Sequence, residues 1–107
     1  MFTQNSPKGY QEPMPGIKLK TLCHGKKTLM AEFVLKAGSD LPSHSHPHEQ
    51  AGYLVMGHIR LTIGGKEHDV KTGDSWCILG DVPHGAKILE NSVAVEVFSP
   101  VREDLLP

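Results

Sequence analysis

The 107-residue chain is long enough for one domain, which by surface-to-volume scaling buries only about 60 to 65% of the surface that its unfolded chain exposes. Its formal net charge is −1 and its lysines and arginines are dispersed, which excludes the basic patch needed to bind nucleic acid or an anionic membrane. The sequence has no run of eighteen apolar residues and no paired cysteine motif, and residues 1–16 contain no basic region followed by an apolar run. We therefore predict a soluble, cytoplasmic protein whose partners are small molecules rather than nucleic acid or membrane.

Turn-forming residues interrupt the chain at intervals of about eight to twelve residues, which indicates an all-β domain. Pro7, Pro13 and Pro15 make residues 1–15 unsuitable for a central strand, so we predict an N-terminal arm there and one domain over residues 16–107. The predicted strands cover residues 17–22, 28–36, 50–56, 58–63, 66–71, 75–79, 85–90 and 93–99. Gly64-Gly65 predicts a two-residue hairpin turn. The expected fold is a single sandwich or barrel, and its modest core favours a homodimer in which the arm takes part.

A histidine cluster stands out in the segment SHSHPHEQ, residues 43–50, which holds three of the seven histidines. If this segment is extended, His44 and His46 lie on one face, because side chains alternate along a strand. Two neutral imidazoles suit Zn, Ni, Cu, Mn or Fe. The same alternation adds His48 and Gln50 to that face and directs Glu49 away, although Pro47 can bend the segment.

A distant partner is needed, because a histidine pair alone holds a metal weakly. His84, which follows GDVP in a predicted loop, is the best candidate. We interpret His48 as a residue at the rim of the site. The remaining histidines, His24, His58 and His68, are interpreted as surface residues without a role in the site.

The last predicted strand carries two different faces. Val93, Val95 and Val97 share one face, whereas Ala94, Glu96 and Phe98 share the other. If the valines face the core, Glu96 is an ordinary solvated carboxylate. A large aromatic at position 98 favours the opposite arrangement, in which Glu96 and Phe98 point into a barrel and Arg102 reaches in from the rim.

Two segments resemble the motifs of the cupin family. GSDLPSHSHPHEQAGYLVMG is similar to the first motif, G-x5-H-x-H-x3-E-x6-G, with Gln50 in place of the usual acid. GDSWCILGDVPHG is similar to the second motif, with His84 as its histidine, although Leu79, Asp81 and Ile88 depart from the usual Pro, Gly and Asn. The resemblance implies a double-stranded β-helix, a jelly-roll barrel in which His44, His46, Gln50 and His84 hold one divalent transition metal.

Within that family, the segments HSHPHEQ and FSPVRED resemble the pectin-degradation proteins of KdgF type, with Glu96 in place of an Asp. This resemblance implies a metal-dependent enzyme of lyase or isomerase type that acts on a small anionic sugar. The reaction that the resemblance implies converts 4,5-unsaturated monouronates from pectin or alginate into linear 4-deoxy-5-keto uronates, with Glu96, Phe98 and Arg102 as catalytic residues. Zinc or nickel is the metal expected for such proton chemistry, with Mn, Fe and Cu as alternatives. Two other functions stay open: a metal-dependent cupin dioxygenase of a small organic substrate, and a non-enzymatic cupin that binds a metal or a sugar.

Overall fold

The computed structural model describes residues 1–107 and consists mainly of antiparallel β-strands. The strands are β1 (Gln11–Met14), β2 (Ile17–His24), β3 (Leu29–Leu35), β4 (Asp40–His44), β5 (Glu49–Ile63), β6 (Lys66–Lys71), β7 (Ser75–Ile78) and β8 (His84–Ser99). A short 3₁₀ helix, Glu103–Leu105, follows the last strand. No helix of the structure is long and apolar enough to cross a membrane.

The sheet closes around two long strands, β5 and β8, which pair from Glu49↔Ser99 to Ile63↔His84. The first half of β8 also pairs with β4 and its second half pairs with β3. In the same way, β5 pairs with β7 in its first half and with β6 in its second. Because the two halves of each long strand pair with different neighbours, the sheet wraps into a jelly roll. The predicted all-β double-stranded β-helix is confirmed.

The core fills the inside of this barrel with 13 buried apolar residues. On β8, Ala94 and Phe98 are 2% and 1% exposed, whereas Val93, Val95 and Val97 lie on the outer face and are only partly buried. The arrangement in which Glu96 and Phe98 point into the barrel is therefore the one that the chain adopts.

The structure differs from the predicted strands in three places. The strands predicted at 50–56 and 58–63 are one strand, β5, whose pairing with β8 shifts register between Leu54 and Ile59. Likewise, the strands predicted at 85–90 and 93–99 are one strand, β8, which already begins at His84 rather than after it. Strand β4 was not predicted, since its sequence DLPSH contains a proline and few apolar residues. The Gly64-Gly65 turn is confirmed, with positive φ angles of 56° and 82°.

The predicted N-terminal arm contains the edge strand β1, which pairs with β2. Residues 6–10 lie over the outer face of β2, where the Lys20 ammonium donates to the Ser6 carbonyl and lies 5.1 Å from the Tyr10 ring centroid. Tyr10 also donates to the Glu32 carboxylate on β3. The arm therefore covers one edge of the outer sheet surface and leaves the rest to solvent.

The homodimer expected from the sequence stays a prediction, and the outer sheet surface is where we place it. Met30, Tyr53 and Met56 are 36%, 49% and 50% exposed there, and they pair laterally with the valines of β8. Apolar side chains that continue across neighbouring strands are typical of a surface that contacts protein. Glu32, the register partner of Val95 on β3, also lies on this face, and its carboxylate already accepts the Tyr10 hydroxyl. A second copy related by a two-fold axis would therefore place mainly apolar side chains against one another.

We expect light scattering at micromolar concentration to report the mass of a dimer, and Val95→Asp to shift it to that of a monomer. Leu89→Asp is the matched control, because Leu89 is 39% exposed on the part of β8 that pairs with β4 and β5 away from this surface. A monomeric wild-type protein, or a dimer that survives Val95→Asp, would contradict the prediction.

Candidate metal centre

Three histidines meet at one end of the barrel. His44 ends β4 and His84 begins β8, where the two residues are register partners, and His46 follows in the loop after β4. Their ring centroids are 4.3 Å apart for His44 and His84, 5.0 Å for His46 and His84, and 5.8 Å for His44 and His46. One nitrogen of each ring lies within 4.8 Å of the others, so all three can contact a single ion. The sequence analysis predicted that these three residues lie together, and they do, although His46 lies outside a strand.

Backbone carbonyls hold the three rings in one orientation. The Nδ1 atoms of His44, His46 and His84 lie 2.9, 3.0 and 2.9 Å from the carbonyl oxygens of Pro42, His48 and Val82. A carbonyl oxygen can only accept a hydrogen bond, so each Nδ1 carries the N–H that donates and each Nε2 keeps its lone pair. This is the tautomer with which histidine binds a metal through Nε2.

The electrostatic surroundings keep two of these rings neutral. Burial lowers the pKa of His46, and the nearby Arg102 guanidinium lowers it further. Burial also lowers the pKa of His84, against the opposing effect of its hydrogen bond to the Val82 carbonyl. Both imidazoles are therefore unprotonated at neutral pH, as a metal ligand must be.

Gln50 lies beside the histidines on β5 and is 5% exposed. Its Nε2 donates to Glu96 Oε1 at 2.6 Å, which leaves the amide oxygen for other contacts. That oxygen and His46 Nε2 are both buried without a hydrogen-bond partner. Since an unsatisfied buried polar atom costs about 1 to 3 kcal/mol, the pair fits a cation that both atoms would contact. The donor set of imidazole nitrogens and an amide oxygen suits a divalent metal.

The loop of residues 79–83 positions His46 from the other side. The Asp81 N–H donates to the His46 carbonyl at 2.8 Å, and Asp81 has a positive φ of 65°. Aspartate tolerates this left-handed conformation better than most residues with a Cβ. The replacement of the usual motif glycine by Asp81 is therefore compatible with the loop that holds the site.

Glu96, Phe98 and Arg102 line the same cavity as His44, Gln50 and His84. The enclosed part measures about 70 Å³. Glu96 accepts hydrogen bonds at Oε1 from Gln50 and from the Trp76 indole, the latter at 3.0 Å. Burial raises the pKa of Glu96, although these two hydrogen bonds act in the opposite direction. Apart from His46, which lies beside the other two histidines, the predicted site residues thus line one cavity.

The Arg102 guanidinium lies over the Phe98 ring, with its Cζ 4.9 Å from the ring centroid. Phe98 in turn packs against His46 at 5.9 Å between ring centroids. Asp104 binds one edge of the guanidinium, with Nη2 to Oδ2 at 2.7 Å and Nε to Oδ1 at 3.3 Å. Its remaining nitrogen, Nη1, has no protein acceptor and is the donor that a ligand in the cavity could use.

Sequence reasoning missed Trp76 and Asp104, because neither belongs to a spacing pattern that points to this cavity. His48 contributes its carbonyl to His46, and its ring lies 5.6 Å from that of His46, outside the group of three. His58, interpreted as a surface residue, pairs with Asp69 on β6 at 2.5 Å.

The comparisons with known proteins agree with this geometry. A model of the cupin domain matches residues 31–100. The pectin degradation protein KdgF of Dickeya dadantii (strain 3937) is 31% identical over 99 residues, which cover 91% of this chain and 90% of that protein. The H2HPP isomerase of Bacillus subtilis is 26% identical over 94% of this chain, which spans only 46% of that protein.

A solved structure supports the same assignment. The structure of KdgF from Halomonas sp. superposes with a TM-score of 0.92 at 30% identity, covering 99% of this chain and 100% of that one. Three histidines that can share one metal, the jelly roll and these likenesses agree with one another. The chain therefore belongs to the cupin family and, within it, to the group of the pectin degradation protein KdgF.

Proposed function

We propose that the protein is a metal-dependent enzyme that converts 4,5-unsaturated monouronates into linear 4-deoxy-5-keto uronates. The observation that carries this proposal is that a part-buried carboxylate, an aromatic wall and a guanidinium share one cavity with Gln50 and two of the three clustered histidines, His44 and His84. The likeness to two KdgF proteins supports the substrate class.

We assign the metal to His44, His46, Gln50 and His84. A divalent ion bound there would act as a Lewis acid toward substrate oxygens, and the neutral Gln50 leaves its full positive charge on the site. The chain itself prepares the donors, because backbone carbonyls orient the histidines and Glu96 orients the amide.

Glu96 is the proton carrier in this proposal. Ring opening removes a proton from the anomeric hydroxyl as the bond from C1 to the ring oxygen breaks, which gives an aldehyde and an enolate. A proton returned to C4 then gives the 5-ketone, so the reaction needs no other reactant. Both protein hydrogen bonds to Glu96 end at Oε1, which leaves Oε2 to accept and return the proton. A pKa raised by burial brings the carboxyl closer to the working pH, where a general acid and base is most effective.

Arg102 and Phe98 bind the substrate. The enclosed cavity of about 70 Å³ is small compared with ordinary ligand pockets, so a sugar ring would extend from it toward the rim where Arg102 lies. There Nη1 can bind the uronate carboxylate. Phe98, 1% exposed, supplies an apolar wall that excludes water from the reacting atoms.

The test is an assay with unsaturated galacturonate and with the monouronate derived from alginate. We expect metal-replete protein to speed the loss of the ultraviolet absorbance of the double bond beyond the spontaneous rate, without consumption of O₂. An unchanged decay for both substrates would remove the proposed function, and turnover that stops without O₂ would indicate an oxygenase instead.

Arg102→Ala is expected to raise KM by about 10-fold or more, because a charge-assisted hydrogen bond to the substrate carboxylate is lost. If the guanidinium also orients the ring, kcat falls as well. Arg60→Ala is the matched control, since Arg60 is exposed on β5 and does not line this cavity. An unchanged KM in Arg102→Ala would contradict the assignment of the carboxylate to this residue.

A further inference from the structure

Trp76 is the chain's only tryptophan, and the proposed mechanism gives it no role. It lies half-buried on β7, lines the cavity and donates its indole N–H to Glu96 Oε1 at 3.0 Å. The hydrogen bond links two strands that are not neighbours, because β5 lies between β7 and β8.

A glycine in the intervening strand makes this contact geometrically feasible. Trp76 is the register partner of Gly52, and Gly52 is the register partner of Glu96. A Cβ at Gly52 would overlap the indole ring at Cε2 and Nε1. Glycine inside a strand often marks such a close approach of another group. The absent side chain therefore leaves the gap through which the indole crosses β5 and reaches the carboxylate.

The other side of Glu96 offers no competing support. Its register partner on β3 is Ala31, whose short side chain cannot hydrogen-bond. Only Trp76 and Gln50 hold the carboxylate, and both donate to the same oxygen. Two donors on Oε1 determine where Oε2 points, and Oε2 is the oxygen left to work on a substrate.

We propose that Trp76, admitted by Gly52, is a positioning residue that aims the Glu96 carboxylate into the cavity. The effect of Trp76 on catalysis rests on the proposed function, whereas its hydrogen bond to Glu96 does not. Glutamate has one more rotatable bond than the aspartate that the KdgF resemblance implies at this position, so its carboxylate needs more support to stay in one orientation. The indole N–H supplies that support from a rigid side chain.

The first experiment observes the indole directly. With one tryptophan, the ¹H–¹⁵N spectrum of zinc-loaded protein contains one indole cross-peak, and a hydrogen bond to a carboxylate shifts its proton downfield. We expect Glu96→Ala and Gly52→Ala each to shift this peak upfield toward the position of a solvated indole. Glu32→Ala is the control, because it removes a carboxylate from the outer face of the same sheet and should leave the peak in place. A peak that does not move in Glu96→Ala would overturn the proposal.

The second experiment measures turnover in Trp76→Phe, which keeps an aromatic wall and removes only the donor. We expect kcat to fall by about 10- to 100-fold, the usual cost of losing a supporting hydrogen bond, with KM and metal content nearly unchanged. In a Glu96→Gln background, the same substitution should have little further effect on kcat, because it acts through Glu96. Tyr53→Phe on the outer face of β5 is the control for general damage to the sheet.

The outcomes separate the two proposals. Two results would overturn the positioning role even if the cross-peak moves. One is a normal kcat in Trp76→Phe, and the other is an equal loss of kcat when Trp76→Phe is made in the wild-type and in the Glu96→Gln protein. A wild-type protein that does not convert either monouronate would remove the proposed function, and the cross-peak would then decide alone whether Trp76 positions Glu96.

Discussion

Replacing both His44 and His84 by alanine is expected to reduce the bound metal from about one ion per chain to none. The two rings are register partners with centroids 4.3 Å apart, so the double substitution removes two of the three nitrogens that can share an ion. Loss of a partner that only orients a ligand typically costs about 10- to 100-fold in metal affinity, and loss of two ligands should cost more. Elemental analysis of protein purified without a histidine tag provides the measurement.

Thermal unfolding gives an independent check of the same prediction. At a free metal concentration of about 100 times its Kd, binding stabilises the native wild-type protein by about 2.7 kcal/mol. The double variant should show no such metal-dependent rise in Tm. His58→Ala is the matched control, since His58 pairs with Asp69 on the surface away from the site. Full metal retention in the double variant, or wild-type protein without metal, would contradict the assigned site.

Glu96→Gln is expected to lower kcat for the uronate by about 10²- to 10⁴-fold, the usual contribution of a positioned general acid and base. The substitution keeps the shape of the side chain and its ability to accept the hydrogen bond of Trp76. Because a glutamine cannot carry the proton, the chemical step is lost while substrate binding remains. The measurement is steady-state kinetics combined with metal analysis, which should show unchanged metal content.

Two further variants sharpen this test. Glu96→Asp restores the carboxylate but withdraws it by one methylene from Trp76 and Gln50, so we expect activity between those of the wild type and Glu96→Gln. Glu32→Gln makes the same change on the neighbouring strand β3, where the carboxylate accepts a hydrogen bond from Tyr10 on the outer face, and should leave kcat unchanged. Wild-type turnover in Glu96→Gln would show that another group moves the proton.

The candidate ligands were predictable because the motif carries them at fixed intervals. His44, His46 and Gln50 lie within seven residues of sequence, and the second motif supplies His84. Strand alternation correctly directed Gln50 inward and Glu49 to the exposed side. The alternation argument did not apply to His46, because β4 ends at His44 and the Asp81 N–H holds the loop that follows.

By itself, the sequence determined the all-β class, the hairpin at Gly64-Gly65 and the group of three histidines that can share a metal ion, since each depends on local periodicity or on short spacing. The two long strands were divided in the prediction, because the turn-forming residues Gly57 and Asn91 lie at an irregularity in the β5–β8 pairing through which both strands continue. Only the tertiary structure decided that Glu96 faces the cavity, since both faces of its strand are apolar enough to be buried. The tertiary structure also decided that Trp76, Gly52 and Glu96 lie side by side on β7, β5 and β8. A lateral contact across three strands depends on their register, which no single segment of sequence encodes.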